Sequence, residues 1–230
     1  MTTSPASSAS NELVERVVAN LALVRARIAS TGRDPSGIRI VADTKTFGVA
    51  AVRSAYDAGL REVGENYVDE LVEKRDAVPD VGVRWHFLGA LQTNKIARVV
   101  RAADLLCGVS RLKEIEKIAE SRPGMAIYVQ VDFTDAEGRN GAGPAQVTGL
   151  VARAREIGLD VQGLMTVAAV GPEGARKAFE GTAHLADDLG LKERSMGMSE
   201  DLELACEQGT SEIRVGRALF GPRMVISALT

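Results

Sequence analysis

The sequence predicts an α/β fold, a single closed (β/α)8 barrel preceded by one extra helix. Eight short apolar runs alternate with longer amphipathic stretches, which is the pattern of parallel βα units. Eight strands is also the number that closes such a barrel. After Phe220 the chain has ten residues, interrupted by Gly221-Pro222, so a full-length eighth helix is not expected. The extra first helix is then free to cover the face between strands 8 and 1. An open doubly wound sheet is the alternative. No GxGxxG follows the first strand, which counts against a dinucleotide-binding version of it.

Residues 1–9, rich in Ser, Thr and Ala, read as a disordered tail, and 10–230 as the barrel domain. From Asn11 to about Ser30, Leu13, Val17, Val18, Leu21, Leu23 and Val24 recur at helical spacing. Asp34-Pro35 and Ser36-Gly37 then break the chain. Strands are expected at Ile38–Ala42, Glu62–Gly64, Arg84–Leu88, Asp104–Cys107, Ala126–Val131, Asp160–Leu164, Arg194–Met196 and Glu212–Val215. Helices are expected between them, among others at Val49–Ala58, Lys95–Ala102, Leu112–Ser121, Pro144–Ile157, Pro172–Leu189 and Glu200–Gln208.

Composition narrows the function classes. With 45% hydrophobic and 26% charged residues the chain can bury an ordinary globular core. A net charge of −3 gives no electrostatic reason to expect nucleic acid or an anionic membrane. Cys107 and Cys206 sit in apolar stretches without a CxxC partner, which suits buried thiols and a cytoplasmic protein. Neither a signal peptide nor a spanning segment is read, and a monomer is expected. Metal-ligand spacing is absent, so no metal is expected.

In a parallel barrel the strand carboxyl ends build the site, and phosphate is commonly held after strands 7 and 8. Strand 1 runs out into Asp43-Thr44-Lys45-Thr46. Lys45 is therefore either an amine freed by a low dielectric or a surface, salt-bridged lysine. Lys95, after strand 3, is its rival. The other five lysines, including Lys74, lie in charged helical stretches and read as solvated. Strand 7 ends in Ser195-Met196-Gly197-Met198-Ser199, where Ser199 is either a helix N-cap or part of an anion site. Strand 8 ends in Arg214-Val215-Gly216-Arg217, where Gly216 allows close backbone approach and Arg217 opens a short helix.

A strand-mouth lysine opposite a phosphate cradle fits a phosphorylated aldehyde held as a Schiff base. Pyridoxal phosphate and a sugar-phosphate aldolase substrate both meet that description. An inward Arg214 would face the pyridine nitrogen and leave it unprotonated, a weaker electron sink than one paired with a carboxylate. Asn66 is read as lying near the ring or capping a helix, and His86 as a core group sooner than a catalyst.

Several motifs occur in family order. They are Asp43-Thr44-Lys45-Thr46, Gly64-Glu65-Asn66-Tyr67, and Trp85-His86-Phe87-Leu88-Gly89 with Leu91-Gln92-Thr93-Asn94-Lys95. Gly163-Leu164-Met165-Thr166, Ser195-Met196-Gly197-Met198-Ser199 and Ile213-Arg214-Val215-Gly216 with Phe220-Gly221 complete the set. The chain resembles the pyridoxal phosphate homeostasis proteins, single-barrel relatives of the amino-terminal domain of alanine racemase.

The resemblance implies a TIM-type barrel carrying pyridoxal 5′-phosphate on Lys45, with Asn66 against the ring and Arg214 at its nitrogen. Ser195, Ser199 and Gly216 would hold phosphate, and Met165, Met196, Gly197 and Arg217 complete the implied cofactor set. It also implies a carrier or regulator of vitamin B6 balance, with pyridoxal phosphate-dependent apo-enzymes as partners. The alternative is a racemase-like enzyme, which needs acid–base groups on both substrate faces. One of these comes from a second domain for which this chain leaves no room, and Tyr56, Tyr67 and Tyr128 offer no clear substitute. Two positions depart from the family: Asn140 stands where many members have lysine, and Ala90 where histidine is frequent. The first puts a secondary lysine site in doubt; the second leaves His86 as the expected histidine near the mouth.

Overall fold

Eight parallel strands close on themselves in sequence order, with β8 pairing back to β1. This computed structural model describes residues 5–134, 136 and 138–222. The strands are β1 Arg39–Asp43, β2 Glu62–Glu65, β3 Arg84–Phe87, β4 Leu105–Val109, β5 Ala126–Val131, β6 Asp160–Thr166, β7 Glu193–Ser195 and β8 Glu212–Val215. Each overlaps its expected run. The main differences are at carboxyl ends, where β4 and β6 each run two residues further, to Val109 and Thr166, because their last residues remain paired or buried.

The helices are α1 Pro5–Ser30, α2 Val49–Asp57, α3 Val68–Ala77, α4 Ile96–Ala102, α5 Leu112–Ser121, α6 Pro144–Glu156, α7 Pro172–Asp188, α8 Leu202–Glu207 and α9 Arg217–Phe220. The last is a single turn, as the Gly221-Pro222 break foretold. Helix α1 begins at Pro5, inside the expected tail; proline is well suited to a first helical position, where no N–H is needed. Residues 1–4 of that tail, and 223–230, lie outside the described residues.

Helix α1 takes the place predicted for it. It packs on α9, α2 and α8, the helices flanking the β8–β1 seam. Its buried stripe is Val17, Leu21, Val24 and Ile28, one clean face at helical spacing. Val18 and Leu23, which the sequence pattern also drew in, are 48% and 64% exposed, because an α-helix turns them off that face. Polar anchors fix its depth. Asn20 Nδ2 donates to the Leu219 carbonyl at 2.8 Å, and Arg27 Nη1 to the Ser199 carbonyl at 2.9 Å. Leu21→Ala is therefore expected to cost about 2–5 kcal/mol and Leu23→Ala no more than about 0.5 kcal/mol, read by urea denaturation.

One apolar core runs between strands and helices from Val17 to Phe220, while Leu105, Cys107, Tyr128 and Met165 form a separate apolar cluster. Around that second cluster lies a polar network. Tyr128 Oη accepts from Arg39 Nη2 at 3.1 Å and donates to Glu212 Oε2 at 3.4 Å, and Arg39 also pairs with Glu193. Arg39, Glu193 and Glu212 are the first residues of their strands. The network therefore ties the amino end of the barrel, leaving the carboxyl end for a site.

Candidate functional site

Register decides what meets at the carboxyl end. Ala42 pairs with Val215, so the chain leaving β1 through Asp43-Thr44-Lys45 passes beside Gly216 leaving β8. Gly216 makes this possible: a Cβ there would sit 2.8 Å from the Asp43 carbonyl oxygen. Gly197 answers a second constraint, with φ +96° and a would-be Cβ 2.5 Å from that of Ala205.

Lys45, Ser199, Arg214, Gly216 and Arg217, five of the ten expected site residues, line one cavity of about 310 Å³. Asp43, Met198, Glu200 and Asp201 complete its wall. That volume lies at the small end of ligand pockets. Both readings of Lys45 meet here, since its Nζ is 3.3 Å from Asp43 Oδ2 while its side chain, 26% exposed, faces the cavity.

Arg214 is the buried cation of the site. Nη1 donates to Ser195 O and Oγ, both at 2.7 Å, and Nη2 to Thr166 O at 2.8 Å. These bonds use three of its five N–H groups. Burial pulls this guanidinium below its usual range, opposed first by the Glu212 carboxylate; at physiological pH an arginine remains charged. Ser195 is thus fully buried, off the cavity wall where the resemblance would put it, and its hydroxyl is engaged with Arg214.

The strand 7 loop carries its own acids. Asp201 Oδ1 accepts the Met198 N–H at 2.6 Å, and burial raises the Asp201 carboxyl above its ordinary value. Glu200 pairs with Arg217. Helix α8 begins at Leu202 instead of Glu200 because Asp201 and Ser199 spend their side chains on the loop; Ser199 Oγ accepts the Ala218 N–H at 3.3 Å. Ser199 is therefore a link to α9 and not the cap of α8.

The remaining expected residues are placed apart from this cavity. Met165 is buried with Leu105, Cys107 and Tyr128, and Met196 with Ala175, Phe179 and Ala205. Asn66 is not a helix cap: Tyr67 holds that position, and Asn66 Oδ1 is buried with no partner among the described residues. Lys95 ends a 3₁₀ turn, half-buried and off the cavity wall.

His86 is a core group, fully buried, with Nε2 2.6 Å from Glu62 Oε2. Its partner opens β2, so the ring serves the barrel interior and not the mouth. Asn140, the family departure, stitches β4 to β5: Nδ2 donates to Gly108 O at 3.1 Å and Gln130 Oε1 at 2.5 Å.

Sequence reasoning missed Lys74. It was expected in solvent and is 4% exposed, its Nζ donating to Glu65 Oε1 at 2.7 Å and Glu70 Oε2 at 2.9 Å. The Glu70–Lys74 spacing of four was the available signal. Burial pushes Glu65 up to about 7, against the pull of Lys74. Its folded value lies above the reference value of 4.5, so the folded state holds this proton more tightly. The stability it contributes is full below the unfolded pKa and is lost as pH rises through about 7. Glu65→Gln is expected to flatten the stability profile over that window, measured by denaturant midpoints at a series of pH values.

The fold and this site together define a TIM-type barrel with a strand-mouth lysine facing paired serine and glycine loops. The chain belongs to the family described as alanine racemase, N-terminal domain, which matches residues 14–224. It is 36% identical over 220 residues to the pyridoxal phosphate homeostasis protein of Pseudomonas aeruginosa, covering 90% of this chain and 96% of that one. The protein of that name from Escherichia coli K12 is 35% identical over 224 residues, covering 89% and 95%.

Among solved structures, PipY of Synechococcus elongatus with PLP bound aligns at TM-score 0.76 and 30% identity, covering 89% of this chain and all of that one. Alanine racemase from Streptomyces lavendulae aligns at TM-score 0.72 over 90% of this chain and 57% of that chain. At 21% identity this last likeness speaks for the fold alone.

Proposed function

We propose that this chain binds pyridoxal 5′-phosphate at Lys45 and holds it reversibly, as a carrier and regulator in vitamin B6 homeostasis. The observation that carries the reading is the single cavity joining Lys45, Arg214, Ser199 and Gly216. The relatives bearing the homeostasis name, and PipY with PLP bound, support it.

The residues present fit this cofactor. Lys45 Nζ is the amine to meet the aldehyde carbon, and Asp43 Oδ2 orients it and stands in reach of its proton. The Arg214 guanidinium, fixed by three hydrogen bonds with two of its five N–H groups left over, suits the ring nitrogen. Ser199 and the close backbone at Gly216 suit phosphate, and Arg217, paired with Glu200, adds a cation to the same wall. Asn66 Oδ1 offers a further unpartnered polar atom near the mouth of β2. When bound, the cofactor supplies an electrophilic carbon and a ring electron sink, which an arginine partner leaves weaker than a carboxylate would.

The carrier reading is favoured over a racemase-like enzyme by what the tyrosines do. Tyr128 Oη is engaged with Arg39 and Glu212, and burial raises its pKa further. Tyr56 lies in α2 and Tyr67 is the N-cap of α3. The proposal extends to a cytoplasmic monomer that passes its cofactor to apo-enzymes. Both cysteines are free and buried, as a reducing compartment allows. Among the described residues no helix is long and apolar enough to cross a membrane. The exposed large apolar side chains Val18, Leu23, Tyr67, Leu112, Val170 and Met198 are spread over several elements, which supports the monomer.

The test is to load the protein, then mix it with an apo-enzyme acceptor and, separately, with L- or D-alanine. Acceptor activation without interconversion of the enantiomers is expected. Lys45-dependent interconversion over many turnovers would replace the carrier by the enzyme.

A further inference from the structure

Behind the loop that carries Lys45 lies a buried ionic group that the cavity does not use. Lys74 on α3 directs Nζ to Thr44 O at 2.7 Å as well as to Glu65 and Glu70, so all three of its donors are spent. The Thr44 hydroxyl donates to Glu65 Oε1. Glu70 Oε2 accepts the backbone N–H of Thr46 at 2.8 Å. The residue before Lys45 is thus gripped by its carbonyl and hydroxyl, and the residue after it by its amide.

Thr46 gives this arrangement its meaning. Its φ of 64° lies in the left-handed region and is the one positive value at a non-glycine among the described residues. A β-branched residue adopts that conformation only where its surroundings impose it. The imposed turn sends Lys45 towards the cavity while its neighbours face α3.

We propose that Glu65, Glu70 and Lys74 are positioning residues for Lys45, a clamp that fixes both of its neighbours and so aims its amine into the cavity. The proposal rests on Lys45 being the cofactor-bearing residue. The competing account is that the cluster only docks α3 against the barrel, in which case loosening it changes stability and leaves the amine unchanged.

Glu70 is the residue to change, because its side chain is 29% exposed and its loss leaves Glu65 paired with Lys74. Two readouts apply to wild type, Glu70→Ala, Glu70→Gln and Lys74→Met. The first is reductive methylation of Lys45 in protein without added cofactor, quantified by peptide mass spectrometry against the exposed Lys192. The second is the affinity for pyridoxal phosphate from visible absorbance. Losing one charge-assisted hydrogen bond at Thr46 is expected to weaken affinity about tenfold and to shift relative Lys45 labelling roughly threefold. Glu70→Gln keeps an oxygen for the Thr46 N–H and is expected to restore both to within about twofold.

Lys74→Met, if it folds, is expected to move both readouts the same way and further. Glu70→Ala with wild-type labelling and affinity would overturn the proposal, as would a Gln variant no better than Ala. Should wild type take up no pyridoxal phosphate while Glu70→Ala still alters Lys45 labelling, the cofactor reading fails and the clamp stands.

Discussion

Lys45→Ala is expected to abolish the visible band formed with pyridoxal phosphate and to weaken its binding by at least ~100-fold, equivalent to about 2.7 kcal/mol. The loss is specific because Lys45 is the lysine on the cavity wall. The fold is expected to survive. A partly exposed pair such as Lys45–Asp43 contributes about 0–1 kcal/mol, which for a chain of this size moves the melting temperature by no more than about 4 °C. Absorbance titration and a thermal melt on the same sample separate the two effects. A melting point far below wild type would mean that Lys45 is chiefly a structural ion-pair partner.

Arg214→Met is expected to injure both fold and site. The substitution leaves two carbonyls and the Ser195 hydroxyl without their donor, and strips the buried Glu212 of a nearby countercharge. Glu212 Oε1 already has no hydrogen-bond partner among the described residues. Removing one member of such a buried set costs about 3–5 kcal/mol, a fall of roughly 6–20 °C in melting temperature. Cofactor affinity falls with it, since the Arg214 guanidinium is the donor assigned to the ring nitrogen. Arg214→Lys keeps the charge but loses the planar fork, and is expected to fall between wild type and Met in both measurements. A Met variant within about 1 kcal/mol of wild type in urea denaturation would contradict this account of the site's foundation.

Barrel, strand order and the positions of Lys45, Arg214 and Gly216 were legible because they follow from periodicity and chain position. Strand-sized apolar runs alternate with helices, and the carboxyl ends of strands 1 and 8 must meet once the sheet closes. Less legible was anything set by side-chain direction. Ser195 and Met196 sit in a readable motif, yet one turns inward to Arg214 and the other outward to Phe179. Lys74 looked like a solvated helix charge, since its burial depends on Glu65 from another element reaching the same point. His86 read correctly as a core group because both faces of a closed parallel barrel are covered, but its tie to Glu62 depends on register. The Glu200 and Asp201 contacts were hidden for a related reason. A run of polar residues before a helix reads as a cap, and only the folded loop shows Asp201 turned back to Met198.

The central claim is that the cofactor is carried covalently on Lys45. Borohydride reduction of the loaded protein followed by peptide mapping tests it most directly. The account predicts one pyridoxyl group per chain, on the peptide containing Asp43-Thr44-Lys45-Thr46. Label on Lys95, or spread over the exposed Lys113, Lys117, Lys177 and Lys192, would contradict it and return the cavity to some other ligand.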